Sequence, residues 1–417
     1  MRVLILGAGP AGITVAQELR RRAARAKSPL EITMVSSEPY APYSPPAMAD
    51  HFLQQRDAPL FWKGVDVCER LGVRYLSGVR AQQVEPVGQR VQFGDGRALE
   101  YDQLVLATGS RLHAPIEGNE LPGLHDFKSL AAAEALVAHV RSKNVRSAAI
   151  VGGGFIGVEV ALLLADLGLE VTLIQRRWVM ARMLDPEVGD LVHDVLVTRG
   201  VKTRLFTPVK GFVGDHRVEG VQLDDGDVVE ADAYIAATGV KPNVEYLADS
   251  ELDVGWGVFV DDQLRTSFPN VWAAGDVAET KDRMSGQRYV HAIFPNAVDQ
   301  ARILARAMLG ERVRYVGAEA MNSMRHLGIP LIAAGTTQGE PLRWRHGSAL
   351  RKIFVDDDRV VGFQLAGDIS GAGHLRSLLL NRTRLDVPAA RVAEPRFPGQ
   401  HLAETVQAGR AREAVPA

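Results

Sequence analysis

One local pattern occurs twice in this chain, about 145 residues apart, and it leaves little choice of architecture. A short apolar run is followed by three glycines in the spacing G-x-G-x-x-G and then by a helix-forming stretch. The first copy is Met1-Arg-Val-Leu-Ile-Leu-Gly-Ala-Gly-Pro-Ala-Gly12, with Gly7, Gly9 and Gly12 leading into a helix expected over residues 13–22. The second is Ser147-Ala-Ala-Ile-Val-Gly-Gly-Gly-Phe-Ile-Gly157, with Gly152, Gly154 and Gly157 in the same spacing. The glycines of such a loop have separate tasks: a tight turn, an unobstructed backbone approach to a pyrophosphate, and close packing of helix on strand. The helix N-terminus adds partial positive charge. A single copy is a weak sign. Two copies, each between an apolar strand and a helix, imply two dinucleotide sites on two βαβ units.

The strand after each glycine loop refines the two sites. The strand Glu31–Val35 ends in Ser36-Ser37-Glu38, where such a unit places a group on the ribose hydroxyls. Ser36 stands nearest that position, so either its hydroxyl serves or Glu38 reaches back. In the second copy the next strand, residues 170–174, ends in Gln175-Arg176-Arg177. An acidic residue there would bond the 2′-hydroxyl of an adenosine ribose and repel a 2′-phosphate. Neutral Gln175 removes that repulsion and the arginines offer guanidinium forks. NADPH is therefore read ahead of NADH, the other reading being that the arginines only cap an exposed turn. Two further strands end alike, in Ala107-Thr-Gly-Ser110 and Ala237-Thr-Gly-Val240, so that Thr108, Gly109 and Gly239 offer backbone amides to a phosphate or a sugar chain.

Composition narrows the class. At 417 residues, with 46% apolar and 24% charged positions, the chain can bury core enough for two or three domains. A net charge of -2 without a dense basic tract argues against a nucleic-acid partner. The sequence has no run of 18 uninterrupted apolar residues, so no membrane span is expected; Met1 leads directly into a strand, so no signal peptide is expected. The single Cys68 excludes an intramolecular disulfide and a C-x-x-C pair, and the cytoplasm is the expected compartment. Cys68 falls among Val65, Val67 and Leu71 in a helix expected over residues 64–71, where a buried structural thiol is favoured over a reactive one.

Several segments carry a choice of readings. Arg20, Arg21, Arg22, Arg25 and Lys27 read as an anion site or, in preference, as cations favoured by a helix C-terminus. Pro39-Tyr-Ala-Pro-Tyr-Ser-Pro-Pro46 is too rich in proline for regular structure and is expected as a loop over the first site. Strands are expected at residues 73–76, 81–84, 90–93 and 103–107, and a hairpin region at residues 209–237. Glu159 is the most unusual charge, one turn into a helix otherwise apolar all round. A lone buried carboxylate is costly, so Glu159 either faces the bound dinucleotides or bonds backbone or arginine at a domain contact.

The last motif completes a family resemblance. Pro269-Asn-Val-Trp-Ala-Ala-Gly-Asp-Val277 presents a short apolar strand closing on Gly275-Asp276. With the two glycine loops and the two Thr-Gly endings, five motifs stand in order. Over residues 1 to about 400 the chain resembles the flavoprotein reductases of the pyridine nucleotide-disulfide oxidoreductase superfamily, in the branches that include NADH oxidases, coenzyme A disulfide reductases, nitrite-reductase-like proteins and ferredoxin and rubredoxin reductases. The resemblance implies an α/β fold: two Rossmann-like dinucleotide-binding domains of three-layer ββα type plus a smaller α+β C-terminal interface domain. It implies an FAD domain from residues 1–112 and 245–315, an NAD(P) domain from 113–244, and a C-terminal domain over 316–400, through which a homodimer would form.

The same resemblance implies FAD and NAD(P)H at Gly7, Gly9, Pro10, Ala11, Gly12, Ser36, Ser37, Glu38, Thr108, Gly109, Arg111, Gly152, Gly154, Phe155, Ile156, Gly157, Glu159, Gln175, Arg176, Gly239, Gly275, Asp276, Asn296 and Ala297. Asp276 matches the aspartate that holds the ribityl chain, and residues 291–300 match the segment whose amides lie against the flavin. Phe155 matches an aromatic that covers the flavin until nicotinamide displaces it; its other reading is a core aromatic under the loop.

Two departures from the family shape the expected function. The thiol branch carries a redox cysteine where Tyr43-Ser-Pro-Pro46 has Pro46, and the ferredoxin and rubredoxin reductases carry Arg-Pro-Pro and then a lysine, where Ser44-Pro45-Pro46 is followed by Ala47, Met48 and Ala49. Glu159 matches the glutamate that would face that lysine. Hydride transfer rests on orientation, so no acid–base side chain and no metal are assigned. Electrons are expected to leave to an external acceptor past residues 47–52, read as an apolar loop. The first reading is a reductase feeding an electron-carrier protein or partner oxidoreductase. The alternatives are an NAD(P)H oxidase or small-molecule reductase, and a non-catalytic flavoprotein subunit. The tail, residues 401–417, is assigned no function.

Overall fold

Both apolar runs become central strands of parallel sheets, which bury their strands on both faces and so tolerate no polar alternation. The computed structural model describes residues 1–26, 29–54, 57–142, 144–324, 328–386 and 388–395. The chain divides into two units. One comprises Met1–His113, Lys128–Val137 and Val240–Ala318; the other comprises Ala114–Phe127, Ala138–Gly239 and Glu319–Ala417.

In the first unit the sheet order is Val271–Ala273, Gln103–Leu106, Arg2–Leu6, Glu31–Val35, Arg74–Leu76, with every neighbouring pair parallel. Val3, Leu4, Ile5 and Leu6 are all buried, as are Leu104, Val105 and Leu106. The helix expected from residue 13 begins earlier, as Pro10–Ala26, because proline suits a first helical turn. It packs against the helix Phe294–Met308. Its basic end is bound up in the fold: Arg20 donates to the carbonyls of Leu30 and Gly72, each at 2.6 Å, Arg21 and Arg22 pair with Glu18, and Arg22 also pairs with Glu311. Lys27 lies outside the described residues. An antiparallel sheet of Ala81–Glu85, Arg90–Phe93 and Ala98–Glu100 belongs to the same unit.

Two expectations in this unit need correction. The helix expected over 64–71 is helical only over Val67–Arg70, since Gly64, at φ +85°, turns the chain in the left-handed region first. Residues 47–52 are no apolar loop. Pro45–Ala47 forms a 3-10 turn and Met48–Gln54 an α-helix that carries Asp50 and His51 and buries Met48, Ala49 and Phe52. Those three apolar residues fall at the spacing of one helical face.

In the second unit the parallel order is Lys202–Leu205, Glu170–Gln175, Ser147–Val151, Ala233–Ala236, Leu124–His125. The hairpin region resolves into an antiparallel sheet of Val209–Val213, Gly220–Leu223 and Val228–Val229. A five-stranded antiparallel sheet comes next, in the order Met321–Met324, Leu331–Gly335, Arg359–Ala366, Ala349–Asp356, Glu340–His346. With the helix Ala372–Asn381 it forms the α+β C-terminal part. The expected α/β class therefore holds. Among the described residues no helix is long and apolar enough to cross a membrane. The tail, residues 401–417, lies outside the described residues.

Candidate functional site

The two glycine loops divide their labour in the same way. Gly7 sits at φ +110°, and a Cβ there would lie 2.0 Å from the Ala107 carbonyl oxygen; on Gly12 it would lie 2.0 Å from the Gly7 oxygen. Gly152, at φ +109°, would meet the Ala237 oxygen at 2.4 Å, and Gly157 the Gly152 oxygen at 1.8 Å. These four positions are glycine because the backbone leaves no room for anything else. Gly9 and Gly154 are different: a Cβ on either meets nothing within 4 Å. The protein's own packing does not demand glycine there, so the open space suits the close approach of a bound group. A dinucleotide pyrophosphate fits that cradle. Each loop opens a helix, Pro10–Ala26 or Phe155–Asp166, with no acidic residue in its first turn, so the positive helix end is not cancelled locally.

Distant segments of the first unit converge beside its loop. Gly275, at φ +81°, would place a Cβ 3.1 Å from that of Ala11 and 3.7 Å from that of Ala297. The Gly-Asp turn, the first helix and the start of the helix Phe294–Met308 therefore meet, with Asn296 buried at the same helix start. The Gly275 N–H donates to Gln300 Oε1 at 2.7 Å. Asp276 Oδ2 accepts from Ser110 Oγ at 2.7 Å and from Lys128 Nζ at 2.9 Å, so the carboxylate is oriented and its charge balanced. Sequence reasoning missed Lys128 and Gln300 as supports. Gln300 lies four residues after Asn296, on the same helical face, whereas Lys128 sits in Asp126-Phe127-Lys128 with no local pattern.

Other residues expected at the site also bond within the fold. Ser36 Oγ accepts the Glu38 N–H at 3.1 Å, and Ser37 is exposed. The Glu38 carboxylate takes the Tyr43 hydroxyl at 2.9 Å, and that hydroxyl accepts the Leu130 N–H at 3.0 Å. Burial pushes Glu38 above the usual carboxylate range, outweighing Tyr43 and the Ala131 and Leu130 amides. Glu38 is thus turned to the start of the helix Leu130–Val140. Thr108 Oγ1 donates to the Asn243 carbonyl at 3.0 Å, and Arg111 pairs with Glu245 while donating to Asn243 Oδ1 at 3.1 Å. These contacts flank the antiparallel pair Ser110–Leu112 and Val240–Pro242. Gly109, at φ +67°, keeps open space at its Cβ position.

In the second unit Gln175 lies directly under the loop: a Cβ on Gly153 would be 3.2 Å from Gln175 Cβ and Cγ. Gln175 Oε1 accepts the Arg176 N–H at 3.2 Å, and Arg176 and Arg177 are exposed. The turn after them folds back, with the Met180 N–H donating to the Gly153 carbonyl at 2.7 Å. Phe155, Ile156 and Glu159 are half-buried on the first turns of a helix whose residues Gly157, Val158 and Val160 are buried. Gly239 sits at φ +148° after the strand Ala233–Ala236.

Comparison with known proteins agrees with this geometry. The pattern of the family described as pyridine nucleotide-disulphide oxidoreductase matches residues 1–301. Over 360 residues the chain is 34% identical to the rhodocoxin reductase of Rhodococcus erythropolis, covering 85% of this chain and 82% of that one. It is 27% identical over 397 residues to an NADH oxidase of Methanocaldococcus jannaschii, covering 88% of each. The crystal structure of a ferredoxin reductase from Rhodopseudomonas palustris matches with a TM-score of 0.86 at 27% identity, over 97% of this chain and 99% of that one. Two glycine loops, each with one position where a methyl group would fit but the protein places none, and the family match over both of them lead to one assignment: the chain belongs to the pyridine nucleotide-disulphide oxidoreductase family, as an FAD-dependent NAD(P)H oxidoreductase.

Proposed function

We propose that this protein oxidises NADPH in preference to NADH and delivers the electrons to a separate electron-carrier protein. FAD, when bound, accepts a hydride and can release its two electrons one at a time. The observation that carries the reading is the lack of any thiol relay. Cys68 is the chain's one cysteine; it is buried, and burial pushes its thiol up to about 11. Pro46 stands where the thiol-dependent branch has its cysteine, so the electrons must leave the protein.

In this reading the loop from Gly7 to Gly12 and the helix behind it hold the FAD pyrophosphate. Asp276, held by Ser110 and Lys128, accepts a ribityl hydroxyl, and the helix start at Asn296 and Ala297 faces the ring system. Ser36, Ser37, Thr108, Gly109 and Arg111 line the same site through hydroxyl or backbone groups. The loop from Gly152 to Gly157 holds NADPH, with Phe155, Ile156, Glu159 and Gly239 along it. Gln175 supplies no charge against a 2′-phosphate, and the exposed Arg176 and Arg177 offer guanidinium groups to one. The protein works in the cytoplasm as a homodimer formed through its C-terminal sheet. The likeness to an NADH oxidase over 88% of both chains favours a second reading, with dioxygen as the acceptor.

Anaerobic stopped-flow mixing of the FAD-loaded protein with NADPH and NADH separately, followed by air and by an oxidised ferredoxin, separates these readings. The expected result is half-maximal flavin bleaching at lower NADPH than NADH, a reduced flavin that persists in air, and prompt reoxidation by the ferredoxin. Cys68→Ser leaves all three unchanged. Rapid reoxidation by air would favour the oxidase, and tighter use of NADH would overturn the nucleotide assignment. No bleaching by either nucleotide would leave a non-catalytic flavoprotein.

A further inference from the structure

The C-terminal sheet of the second unit carries a row that is polar at every position but Ala333, where an apolar one would pack more simply. Asn322 pairs in register with Ala333, Ala333 with Gln364, Gln364 with Lys352, and Lys352 with Arg343. Residues directly opposite one another on neighbouring strands project to the same face. Gln364 is 2% exposed and Lys352 8%, and burying such groups is unfavourable unless each finds partners.

All the partners lie in one short segment. Gln364 Nε2 donates to the Met183 carbonyl at 3.0 Å, and Gln364 Oε1 accepts the Asp185 N–H at 3.1 Å. Lys352 pairs with Asp185 and, at 3.1 Å, with Glu187. Arg343 Nε reaches Glu187 Oε1 at 2.6 Å, and Asn322 Nδ2 contacts Met183 Sδ at 2.8 Å. Asp185 is also the N-cap of the helix Pro186–Thr198, accepting the Val188 N–H at 3.1 Å.

That segment ends the turn that begins at Arg176. Within the turn, Trp178 Nε1 donates to the Leu184 carbonyl at 2.8 Å and the Met180 N–H donates to Gly153 of the second glycine loop at 2.7 Å. A continuous set of bonds therefore runs from the C-terminal sheet through the turn to the loop. We propose that the polar row of the C-terminal sheet, through Gln364 and Lys352, is a positioning device for the pyridine nucleotide, holding the turn of Arg176 and Arg177 against the glycine loop.

This inference rests on the assignment of that loop to NADPH, and the experiment keeps the two apart. The FAD-loaded protein and its Gln364→Leu, Lys352→Met and Lys352→Arg variants are titrated with NADPH under anaerobic conditions, following flavin bleaching. FAD content and thermal midpoint are recorded in parallel. Half-saturation is expected to rise roughly tenfold in Gln364→Leu and Lys352→Met. The limiting bleaching rate stays within about twofold, because neither residue touches the reacting atoms. Lys352→Arg restores most of the affinity. Unchanged half-saturation in a folded Gln364→Leu protein would overturn the inference, as would an equal loss in limiting rate. Should Gln364→Leu fail to fold, Asn322→Leu at the end of the row carries the same test, and unchanged half-saturation there overturns the proposal. A wild-type protein with no saturable response would overturn the nucleotide assignment itself.

Discussion

Gly157 and Gly154 stand three residues apart in one loop, yet a single methyl group has opposite consequences at the two. On Gly157 it would sit 1.8 Å from a backbone oxygen that cannot move without shifting the strand. Gly157→Ala is expected to cost more than about 3 kcal/mol of stability, seen as a large fall in the thermal midpoint. Gly154→Ala meets no atom within 4 Å and is expected to stay within about 1 kcal/mol of wild type. Its NADPH half-saturation should instead rise roughly tenfold, because the added methyl occupies the approach of the pyrophosphate. Spacing alone made all six loop glycines legible. It also implied their separate tasks; the structure adds the atoms that enforce them, the carbonyl oxygens of Ala107, Ala237, Gly7 and Gly152. Glu38 shows the limit of spacing: its place after a strand pointed to a ribose, whereas Tyr43 and the amides of a helix about 90 residues away claim its carboxylate.

Among the local elements, the hairpin of Ala278–Lys281 and Arg288–Tyr289 is locked at its corner by one carboxylate. Asp282 Oδ1 accepts from the amides of Met284 and Ser285 and from Ser285 Oγ, and Oδ2 lies 2.8 Å from His291 Nε2. Burial works against the charged form, but His291 and Ser285 outweigh it and hold the carboxyl down to about 2. A depressed carboxyl stabilises the fold above its unfolded value, near 4, and that contribution disappears as pH falls through its folded value. Asp282→Asn is therefore expected to lose roughly 2 kcal/mol at pH 7. The gap to wild type should close as urea unfolding is repeated toward pH 2, and a gap constant with pH would refute the charge-based account. The strands expected at residues 31–35, 81–84, 90–93 and 103–107 were legible almost to the residue, whereas the five strands of the C-terminal sheet were not read from the sequence. Short elements were not: Met48–Gln54 was hidden by the prolines before it, and Val67–Arg70 was overextended because the turn at Gly64 depends on its positive φ.

Taken as a whole chain, the second unit joins segments from three stretches of sequence, and its C-terminal sheet supplies the partners of Asp185 and Glu187. Removing residues 319–417 would strip those carboxylates of Lys352. The shortened protein is expected to retain FAD, whose proposed contacts lie in the first unit, and to lose saturable bleaching by NADPH. Visible absorbance of the purified protein and a nucleotide titration check both halves of that outcome. The two βαβ units, the class of both ligands and the lack of a thiol relay could be read from the chain alone, because strand–glycine–helix spacing and the absence of a residue type are local facts. Contacts seen only in the folded molecule show that Lys128 and Ser110 support Asp276, that Tyr43, bonded to the start of a distant helix, engages Glu38, and that a row of side chains grips the turn after Arg176. Each of these is a contact between segments far apart in the chain, formed because a buried charge or amide must find a partner wherever the fold brings one within reach.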